Sequence, residues 1–377
     1  MRRGGAVTRV RFLLNSLAGG GAERVMLTLL SASRPRMADA PFALALLDDD
    51  PDAYRAPDWL PVARLRTGGS LARGLARVLA LVRRERPALI VSFLTRANII
   101  AVAAARLTGR RVVISERVNT SAHLSGNRLA RLLVRAAYRH ADRVVAVSGG
   151  VADDLAANYG VRRERIVTIA NPVDIDAIVA RGREPAKLPV ATPFIAAMGR
   201  LTETKNMGLL VEAYAESGVD MPLVILGEGP EREALEARVA ALGFGGRVHL
   251  LGFRPNPFAV LARAALYVSA SNGEGFPNAL VEAMALGVPV LATNCASGPS
   301  EILADRPRHE VRGTLATDWG TLVPVDDRQA LAAALRDAEA SPERLAAQGE
   351  AGRRRAQEFG VARAVERYWA TFDAVLR

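Results

Sequence analysis

The chain contains very little cysteine and histidine for its 377 residues. Cys295 is the only cysteine, so the chain cannot form an internal disulfide framework, and a reducing compartment is its natural location. The four histidines are scattered without metal-ligand spacing; they are His123, His140, His249 and His309. The sequence thus predicts neither a disulfide scaffold nor a zinc centre.

The sequence also lacks a long uninterrupted apolar segment. The longest apolar window, residues 88–107, has Arg96 and Asn98 near its middle, so we predict a strand, a loop and a helix there rather than a membrane span. The chain opens with two arginines and then a short apolar run that Arg11 interrupts. We interpret this run as a first strand rather than as the core of a signal peptide.

Lysine is nearly absent, and the positive charge is distributed unevenly. Only Lys187 and Lys205 accompany 48 arginines. Residues 1–180 contain 28 arginines against 15 acidic residues, a balance of +13, whereas residues 181–377 contain 22 basic and 24 acidic residues, a balance of −2. This asymmetry favours an anionic partner for the first half, with membrane lipid, phosphorylated glycan and nucleic acid as candidates; an arginine-rich genome is the alternative explanation.

Apolar runs alternate with amphipathic segments in both halves of the chain, which is typical of parallel sheets covered by helices. We predict two such α/β lobes, at residues 1–175 and 193–359, with a proline-containing linker at 176–192 and a terminal segment at 360–377. Ligands of open parallel sheets bind beyond the carboxyl ends of the strands. A substrate is therefore expected in a cleft where the two lobes face each other.

The most informative stretch, residues 269–282, has the pattern of a strand, a glycine-containing loop and a helix. Pro277 suits the first helical position, and the free backbone N–H groups from Asn278 onward favour a phosphate or a polar sugar. Glu274 in the loop and Glu282 one turn after Asn278 place two carboxylates beside this helix end. The alternative is a turn glutamate and a solvated helix glutamate, since the spacing alone occurs by chance.

Other glycine-containing turns also lead from a predicted strand into a helix. Arg200 and Lys205 lie in one of them and either hold a diphosphate without a metal or are two surface cations. The turns at 227–230 and 252–255 either line a nucleotide base or merely reverse the chain. In the first half, the turn at 19–21 is either a phosphate cradle or a flexible connector.

Two charged segments have competing interpretations. Asp48–Asp50 resembles an acidic metal site, but the neighbouring prolines favour a polar surface loop. The predicted helix at 127–140 has leucines on one side and a basic stripe on the other; the stripe consists of Arg128, Arg131, Arg135 and Arg139. Such a helix either lies on an anionic membrane surface or packs in the ordinary way with a solvated basic face.

Taken together and in order, these motifs resemble the signature series of the retaining glycosyltransferases of family 4, which have the GT-B fold. The resemblance covers nearly the whole chain and is closest to the branch of lipopolysaccharide-core and bacterial glycan-assembly N-acetylhexosaminyltransferases. The residues that carry it are Gly19–Arg24, Asn171–Asp174, Gly199–Arg200 with Lys205, Gly227–Pro230, Gly252–Phe253, Glu274–Met284, Gly287–Val290 and Gly298–Glu301. The implied fold is α/β, with two Rossmann-like lobes whose parallel sheets face each other across a cleft.

The resemblance implies a role for each matching position. Glu274, Arg200 and Lys205 would be catalytic, with the two cations neutralising the donor diphosphate as the glycosidic bond breaks. Glu282 would hold the ribose hydroxyls, and the terminal helix would cross back onto the first lobe. The remaining donor-binding positions would be Gly20, Gly21, Gly227, Phe253, Arg254, Phe276, Pro277 and Asn278.

The resemblance also implies the chemistry. A sugar would move from a nucleotide-diphosphate donor, with UDP-N-acetylhexosamine or UDP-hexose favoured, to a growing bacterial glycan such as lipopolysaccharide, capsule, exopolysaccharide or a lipid-linked oligosaccharide. The anomeric configuration would be retained, without a metal or a cofactor and without nucleic acid as a partner. The basic first lobe favours a cytoplasmic protein that is peripheral on the inner face of the cytoplasmic membrane.

The chain departs from the family pattern at two places. Many members have a histidine after the fourth strand of the first lobe, where this chain has Glu116 and Arg117. We expect both residues to contact the donor sugar or the acceptor, without a defined catalytic role. Ser300 stands where an arginine is typical. The alternative functions are a nucleotide-sugar epimerase or hydrolase of the same fold and a noncatalytic polyanion-binding protein.

Overall fold

The computed structural model describes residues 9–188 and 190–377. The two opening arginines and Pro189 of the predicted linker lie outside the described residues. The chain folds into two compact units. The first comprises the described residues up to Pro172 together with Val361–Arg377, and the second comprises Val173–Gly360.

Each unit contains a seven-stranded sheet. The strands of the first sheet are β1 (Val10–Leu14), β2 (Phe42–Leu46), β3 (Val62–Arg64), β4 (Leu89–Phe93), β5 (Arg111–Glu116), β6 (Arg143–Ala146) and β7 (Ile166–Thr168). The strands of the second sheet are β8 (Ile195–Met198), β9 (Leu223–Leu226), β10 (Val248–Gly252), β11 (Leu266–Ser269), β12 (Val290–Thr293), β13 (Leu315–Thr317) and β14 (Gly320–Val323).

Helices follow most of the strands. They are α1 (Gly21–Ala32), α2 (Leu71–Glu85), α3 (Thr95–Thr108), α4 (Thr120–His123), α5 (Arg128–Tyr138), α6 (Gly149–Tyr159), α7 (Ile175–Gly182), α8 (Met207–Ser217), α9 (Arg232–Ala241), α10 (Phe258–Leu261), α11 (Asn278–Ala285), α12 (Pro299–Leu303), α13 (Arg328–Glu339), α14 (Pro342–Ala356) and α15 (Val361–Leu376). Helices α7 to α14 belong to the second unit. None of the described helices is both long enough and apolar enough to cross a bilayer.

Both sheets have the strand order of a doubly wound α/β fold. The first sheet has the order β3-β2-β1-β4-β5-β6-β7, and all of its neighbouring strands are parallel. The second has the order β10-β9-β8-β11-β12-β14-β13, in which β13 is antiparallel to β14. The order reverses between β1 and β4 and again between β8 and β11, where ligand crevices form in this architecture. The predicted pair of Rossmann-like lobes is therefore confirmed.

The core of the first unit is aromatic and includes the last helix of the chain. The ring centre of Phe12 on β1 lies 5.7 Å from that of Phe42 on β2 and 5.9 Å from that of Phe372 on α15. Trp369, also on α15, is buried, and its indole N–H donates to the hydroxyl of Ser33 at 2.8 Å. The structure thus places the terminal helix with the first unit, where the family resemblance implies it should be.

The structure differs from the predicted linker at 176–192 in its first part, where α7 forms. This helix packs on α10 and α11 in the second unit because Ile175 and Ile178 are buried. Gly182 permits the close approach, since a Cβ there would lie 2.6 Å from Cδ2 of Leu286. The prolines of this stretch occur only after α7 has ended, so they indicate a linker only in the part of the segment that follows Gly182.

Candidate functional site

The carboxyl ends of β8 and β11 meet at the point where the strand order of the second sheet reverses, hereafter the reversal point. Arg200 and Lys205 follow β8, and Glu274 follows β11. Loops from two such neighbouring strands turn toward opposite faces of the sheet and leave a crevice between them. The topology thus brings together Lys205 and Glu274, which are 69 positions apart in sequence.

Lys205 and Glu274 form an ion pair at the reversal point. The ammonium Nζ of Lys205 donates to Oε1 of Glu274 at 2.5 Å. The side chain of Glu274 is 10% exposed and that of Lys205 is 28% exposed, so the pair is shielded yet open on the lysine side. The two loops are also joined through the backbone, because the N–H of Asn272 donates to the carbonyl of Thr204 at 2.8 Å.

Asn206 holds the loop after β8 in place. Its backbone is left-handed, with φ of 47°, a conformation that asparagine tolerates better than most residues. Its amide nitrogen donates to Asn272 at 2.8 Å and to Asp326 at 2.9 Å, while its amide oxygen accepts from the N–H of Leu209 and caps α8. The position of Lys205 is therefore set by an asparagine that directly follows it.

The loop that carries Glu274 is braced by residues at the end of β12. The hydroxyl of Thr293 donates to the carbonyl of Ser271 at 2.6 Å. The hydroxyl of Ser297 donates to the backbone carbonyl of Glu274 itself. One hydroxyl from the end of β12 and one from the segment after it thus satisfy carbonyls of this loop and fix its path.

Helix α11 begins at Asn278, and Pro277 is the residue before it. The prediction that Pro277 occupies the first helical position is therefore wrong by one residue, because its ψ of 86° is not helical. Gly298 lies against the proline with φ of 99°, and a Cβ there would lie 2.5 Å from Cδ of Pro277. The positive end of the helix dipole therefore belongs to α11 from Asn278 onward, beside the Glu274 loop.

The two remaining predicted residues of this stretch are buried. Glu282, on α11, is buried rather than solvated, so the alternative interpretation of an ordinary surface glutamate does not hold. Phe276 is also buried, and its ring meets that of Phe359 edge-on at 5.4 Å between centres. Phe276 thus anchors the segment that leads from Glu274 into α11.

Burial and the charge of Glu274 change the acidity of two neighbours. Burial, reinforced by the charge of Glu274, raises the pKa of the Cys295 thiol to about 12. Burial, with smaller contributions from Glu274 and Glu282, raises the pKa of Tyr267, whose hydroxyl donates to the carbonyl of Met198 at 3.3 Å. Both groups keep their protons at neutral pH, so neither supplies a nucleophile or a general base.

The turns after β9 and β10 approach the same edge of the second sheet. Gly227 has φ of 137°, and any Cβ there would collide with the carbonyl oxygen of Gly199, so only glycine fits. Phe253 and Arg254 follow β10 and are exposed, as is Arg200. An exposed aromatic ring offers a face on which a nucleobase can stack.

In the first unit, the glycine-rich turn follows β1. Gly19 has φ of 106°, Gly20 is the residue before α1, and Gly21 is the first residue of that helix. A Cβ at Gly20 would collide with the carboxylate of Glu23, which lies in the first turn of α1. An anion near this helix end is thus supplied by the chain itself, and a phosphate would have to displace it.

Glu116, the last residue of β5, is completely buried. Its Oε2 accepts from the hydroxyl of Tyr138 at 2.6 Å, and its Oε1 accepts from the backbone N–H of Arg117 at 3.0 Å. Burial raises the pKa of this carboxyl, although the hydrogen bond from Tyr138 acts in the opposite direction. The structure differs from the predicted sugar contact because a tyrosine of α5 covers the carboxylate.

Arg117 is also enclosed by residues of the first unit. Its guanidinium donates to the hydroxyl of Tyr368 on α15 at 2.7 Å, to the hydroxyl of Ser115 at 3.2 Å and to the side-chain oxygen of Asn171. The same group lies 4.7 Å from the ring centre of Phe93. The predicted sugar contact is again replaced by an internal one, since Arg117 ties α15 to the sheet.

The prediction of a polar surface loop at Asp48–Asp50 is wrong for Asp48. This carboxylate is buried and accepts from the hydroxyl of Thr67 at 2.7 Å and from the guanidinium of Arg96. Arg96 also donates to Asn15 at 3.4 Å, so the cluster joins the ends of β1, β2 and β4. Within residues 9–188 and 190–377, no group of three or more histidine, cysteine, aspartate or glutamate side chains is arranged to hold a metal.

The sequence matches two family models that together span most of the chain. The model described as Glycosyltransferase Family 4 matches residues 3–177, and the model described as Glycosyl transferases group 1 matches residues 180–355. The N-acetylgalactosamine-N,N'-diacetylbacillosaminyl-diphospho-undecaprenol 4-alpha-N-acetylgalactosaminyltransferase of Campylobacter jejuni is 30% identical over 344 residues, which cover 86% of this chain and 88% of that relative. The chain belongs to glycosyltransferase family 4.

Solved structures share the fold of this family 4 glycosyltransferase. HepE of Anabaena, in complex with UDP, is 22% identical with a TM-score of 0.78, covering 97% of this chain and 100% of HepE. The apo form of the lipopolysaccharide outer core galactosyltransferase WaaB is 18% identical with a TM-score of 0.76, covering 97% of this chain and 99% of WaaB. The predicted family resemblance and GT-B fold are confirmed, and the matches favour a glycosyltransferase over both alternative functions.

The predicted residues of this glycosyltransferase fall into three sets. The second unit gathers one set near its reversal point: Arg200, Lys205, Glu274, Phe276, Pro277, Asn278 and Glu282. The turns after β9 and β10 hold Gly227, Phe253 and Arg254, and the first unit holds Gly20, Gly21, Glu116 and Arg117. The sequence analysis did not identify the three residues that hold the two loops in place, Asn206, Thr293 and Ser297. The only signal in the sequence is that they are polar residues that follow a predicted strand or precede a predicted helix.

Proposed function

We propose that this glycosyltransferase transfers a hexose or an N-acetylhexosamine from a UDP-sugar to a bacterial glycan acceptor carried on a lipid, with retention of configuration and without a metal. The observation that carries the proposal is the ion pair of Lys205 and Glu274 at the reversal point of the second unit. The UDP in the HepE complex and the diphospho-undecaprenol in the name of the Campylobacter relative support the choice of substrates.

The donor diphosphate would lie against Arg200, Lys205 and the start of α11. Glu274 holds the ammonium of Lys205 in position before a donor arrives, and the exposed part of the lysine leaves it accessible. Two cations and the positive end of the α11 dipole can neutralise a diphosphate, which is the task that a divalent ion performs in other enzymes. As the bond between sugar and diphosphate breaks, these groups stabilise the charge that develops on the phosphate.

The sugar and the nucleoside would be held by groups on either side of the diphosphate. Glu274 and the backbone at 276–278 would position the sugar, since an ionised carboxylate accepts hydrogen bonds from hydroxyls. Glu282, buried on α11 one turn after Asn278, would accept from the ribose hydroxyls. The exposed ring of Phe253 would stack on the uracil.

Retention follows when the acceptor hydroxyl attacks from the face that the diphosphate leaves. The bond from the anomeric carbon to the diphosphate oxygen breaks, the bond to the acceptor oxygen forms on the same face, and the acceptor proton passes to the leaving phosphate oxygen. This step balances without a protein base. It agrees with a site in which Cys295 and Tyr267 keep their protons and Glu274 is paired with Lys205.

We also propose that the protein works at the inner face of the cytoplasmic membrane, as a peripheral protein. A lipid-linked acceptor presents its diphosphate at the membrane surface, and the charge balance of +13 in residues 1–180 would attract an anionic surface. Four exposed arginines on α5 or directly after it would contribute to this attraction: Arg128, Arg131, Arg135 and Arg139.

A transfer assay tests the proposal. The purified protein is given UDP-glucose, UDP-galactose, UDP-N-acetylglucosamine or UDP-N-acetylgalactosamine with short polyprenyl-diphosphate-linked sugars, in EDTA and in magnesium. We expect transfer from at least one donor in EDTA. The anomeric proton coupling of the new linkage should show the same configuration as the donor. A magnesium requirement would contradict the metal-free site, an inverted product would contradict retention, and equal donor breakdown without any acceptor would favour a hydrolase.

A further inference from the structure

Helix α5 has two apolar stripes, and only one of them is packed against the protein. The packed stripe is centred on Val134 and Tyr138, which are fully buried. The other stripe, hereafter the leucine stripe, lies away from the packed side and consists of Leu129, Leu132 and Leu133. These leucines are 68%, 64% and 37% exposed. An ordinary packed helix, one of the two interpretations of the sequence, would bury these leucines. In the structure they are exposed.

A buried hydrogen bond fixes the rotation of α5. The hydroxyl of Tyr138 donates to Glu116 at 2.6 Å and accepts from the amide of Asn98 at 3.0 Å. Turning the leucine stripe inward would withdraw Tyr138 and leave the carboxylate of Glu116 buried without this donor, which is costly. The leucines are thus held outward by the contacts of the opposite side.

Arginines lie along one side of the leucine stripe. At 100° per residue, Arg128 and Arg135 fall next to Leu132, and Arg131 lies farther round toward the packed side. All three arginines are exposed, and α5 contains no acidic residue. Leucines bordered on one side by guanidinium groups match the boundary of an anionic bilayer, with apolar side chains among the acyl chains and cations at the lipid phosphates.

We propose that α5 docks on an anionic lipid bilayer by inserting the leucine stripe, with its arginines on the lipid phosphates. Charge complementarity favours lipid over a second copy of this chain, because a symmetric contact through α5 would bring the same arginines against one another. This inference deepens the proposed peripheral location. It depends on the first unit and not on the donor site of the second.

The single cysteine makes insertion directly measurable. Cys295 is buried, and its pKa is raised to about 12, so a thiol reagent at neutral pH labels only an introduced cysteine. Leu132→Cys is labelled with an environment-sensitive dye and mixed with vesicles of phosphatidylglycerol and phosphatidylethanolamine. The matched control is Leu242→Cys in the second unit, where the native leucine is 41% exposed.

We expect the emission of the dye at position 132 to shift to shorter wavelength with vesicles, and the emission at position 242 to stay unchanged. An absent shift at 132, or equal shifts at both positions, overturns the proposal. The shift at 132 should persist when salt is raised after binding, because screening weakens the arginine contacts but not the burial of leucine.

A second experiment replaces the stripe in the full chain with Leu129→Ser, Leu132→Ser and Leu133→Ser together. Vesicle flotation should show at least a tenfold loss of the bound fraction, whereas Leu242→Ser binds normally. Thermal stabilisation by UDP should be the same in both variants and in the native chain, which shows that the second unit is intact. Undiminished flotation of the triple variant overturns the proposal. The proposal is also overturned if the native chain does not bind vesicles but forms a dimer that the triple substitution makes monomeric. A chain that inserts yet does not respond to UDP supports this inference and contradicts the proposed function.

Discussion

The ammonium of Lys205 lies 2.5 Å from the carboxylate of Glu274, although 69 positions separate the two residues. They meet because β8 and β11 become neighbours where the strand order reverses. The carboxylate orients a cation in a place where the proposed donor diphosphate would need one. Substituting either residue therefore tests a different part of the same site.

Glu274→Gln preserves the shape of the side chain but removes the charge that holds Lys205. We expect kcat for transfer to fall on the order of 100-fold or more, because a group that positions charge in the transition state is lost. The circular dichroism spectrum should be unchanged. The control is Glu236→Gln, which alters an exposed ion pair with Arg232 on α9 and should leave turnover unaffected. Near-normal turnover of Glu274→Gln would remove this residue from the site.

Gly298→Ala tests the close packing beside the helix start. At φ of 99° an alanine is strained, and its Cβ would lie 2.5 Å from Pro277, so we expect a loss of about 1–3 kcal/mol in the free energy of unfolding. The segment from Glu274 to α11 should shift as well, and UDP should bind more weakly. Gly246→Ala is the matched control, because nothing lies near a Cβ there and its φ is not positive. Equal stability of the two variants in urea unfolding would contradict this account of Gly298.

Trp369→Ala tests the placement of α15 in the core of the first unit. The indole is buried and bonded to Ser33, so its removal leaves a cavity and should cost about 3–5 kcal/mol. Glu366→Ala, on an exposed position of the same helix, should change stability by less than about 0.5 kcal/mol. Chemical unfolding measures both. A loss at Trp369 no larger than that of the control would mean that α15 is not part of the core.

Asp48→Asn should show a pH-dependent effect on stability. Burial by itself would raise the pKa of Asp48, but hydrogen bonds from Arg96, Thr67 and the backbone of Gly69 outweigh it and lower the pKa. A carboxyl with a lower pKa in the folded state stabilises the fold above its unfolded pKa, near 4, and loses this contribution as the pH falls. The variant should therefore be less stable than the native chain at pH 7, with a difference that shrinks at acid pH.

Urea unfolding at several pH values measures this difference. Asp50→Asn is the control, because Asp50 is an exposed residue of the same loop and should show little effect at any pH. A stability difference for Asp48→Asn that is the same at pH 7 and at pH 3 would contradict the role assigned to the Arg96 contact.

The apolar runs were sufficient to predict two parallel sheets, because a strand covered on both faces reads as continuous hydrophobic sequence. The short edge strands β3 and β13 are only partly buried and were not predicted. The pairing of Lys205 with Glu274 could not be predicted from the apolar runs, because it depends on which strands become neighbours in the sheet. Glu116 shows a different limit. Its place at the end of β5 was predicted, but the hydroxyl of Tyr138 that covers it comes from a helix 22 positions later.

Helix α5 shows why amphipathic periodicity alone leaves an ambiguity. Both of its apolar stripes satisfy helical spacing, and the buried hydrogen bonds of Tyr138 with Glu116 and Asn98 decide which one faces the core. The linker has a related explanation. Prolines signal where regular structure stops, so α7, which precedes them and packs through Ile175 and Ile178, was counted as linker.

The most direct test of the central claim is calorimetric binding of UDP and of uridine in EDTA, with the native chain and with Lys205→Ala. The account predicts that the native chain binds UDP without a metal and that Lys205→Ala raises the dissociation constant for UDP at least tenfold. Uridine, which lacks the diphosphate, should bind both proteins with the same affinity. UDP binding that appears only with magnesium, or that is equally strong in Lys205→Ala, would contradict the assignment of the diphosphate to this site.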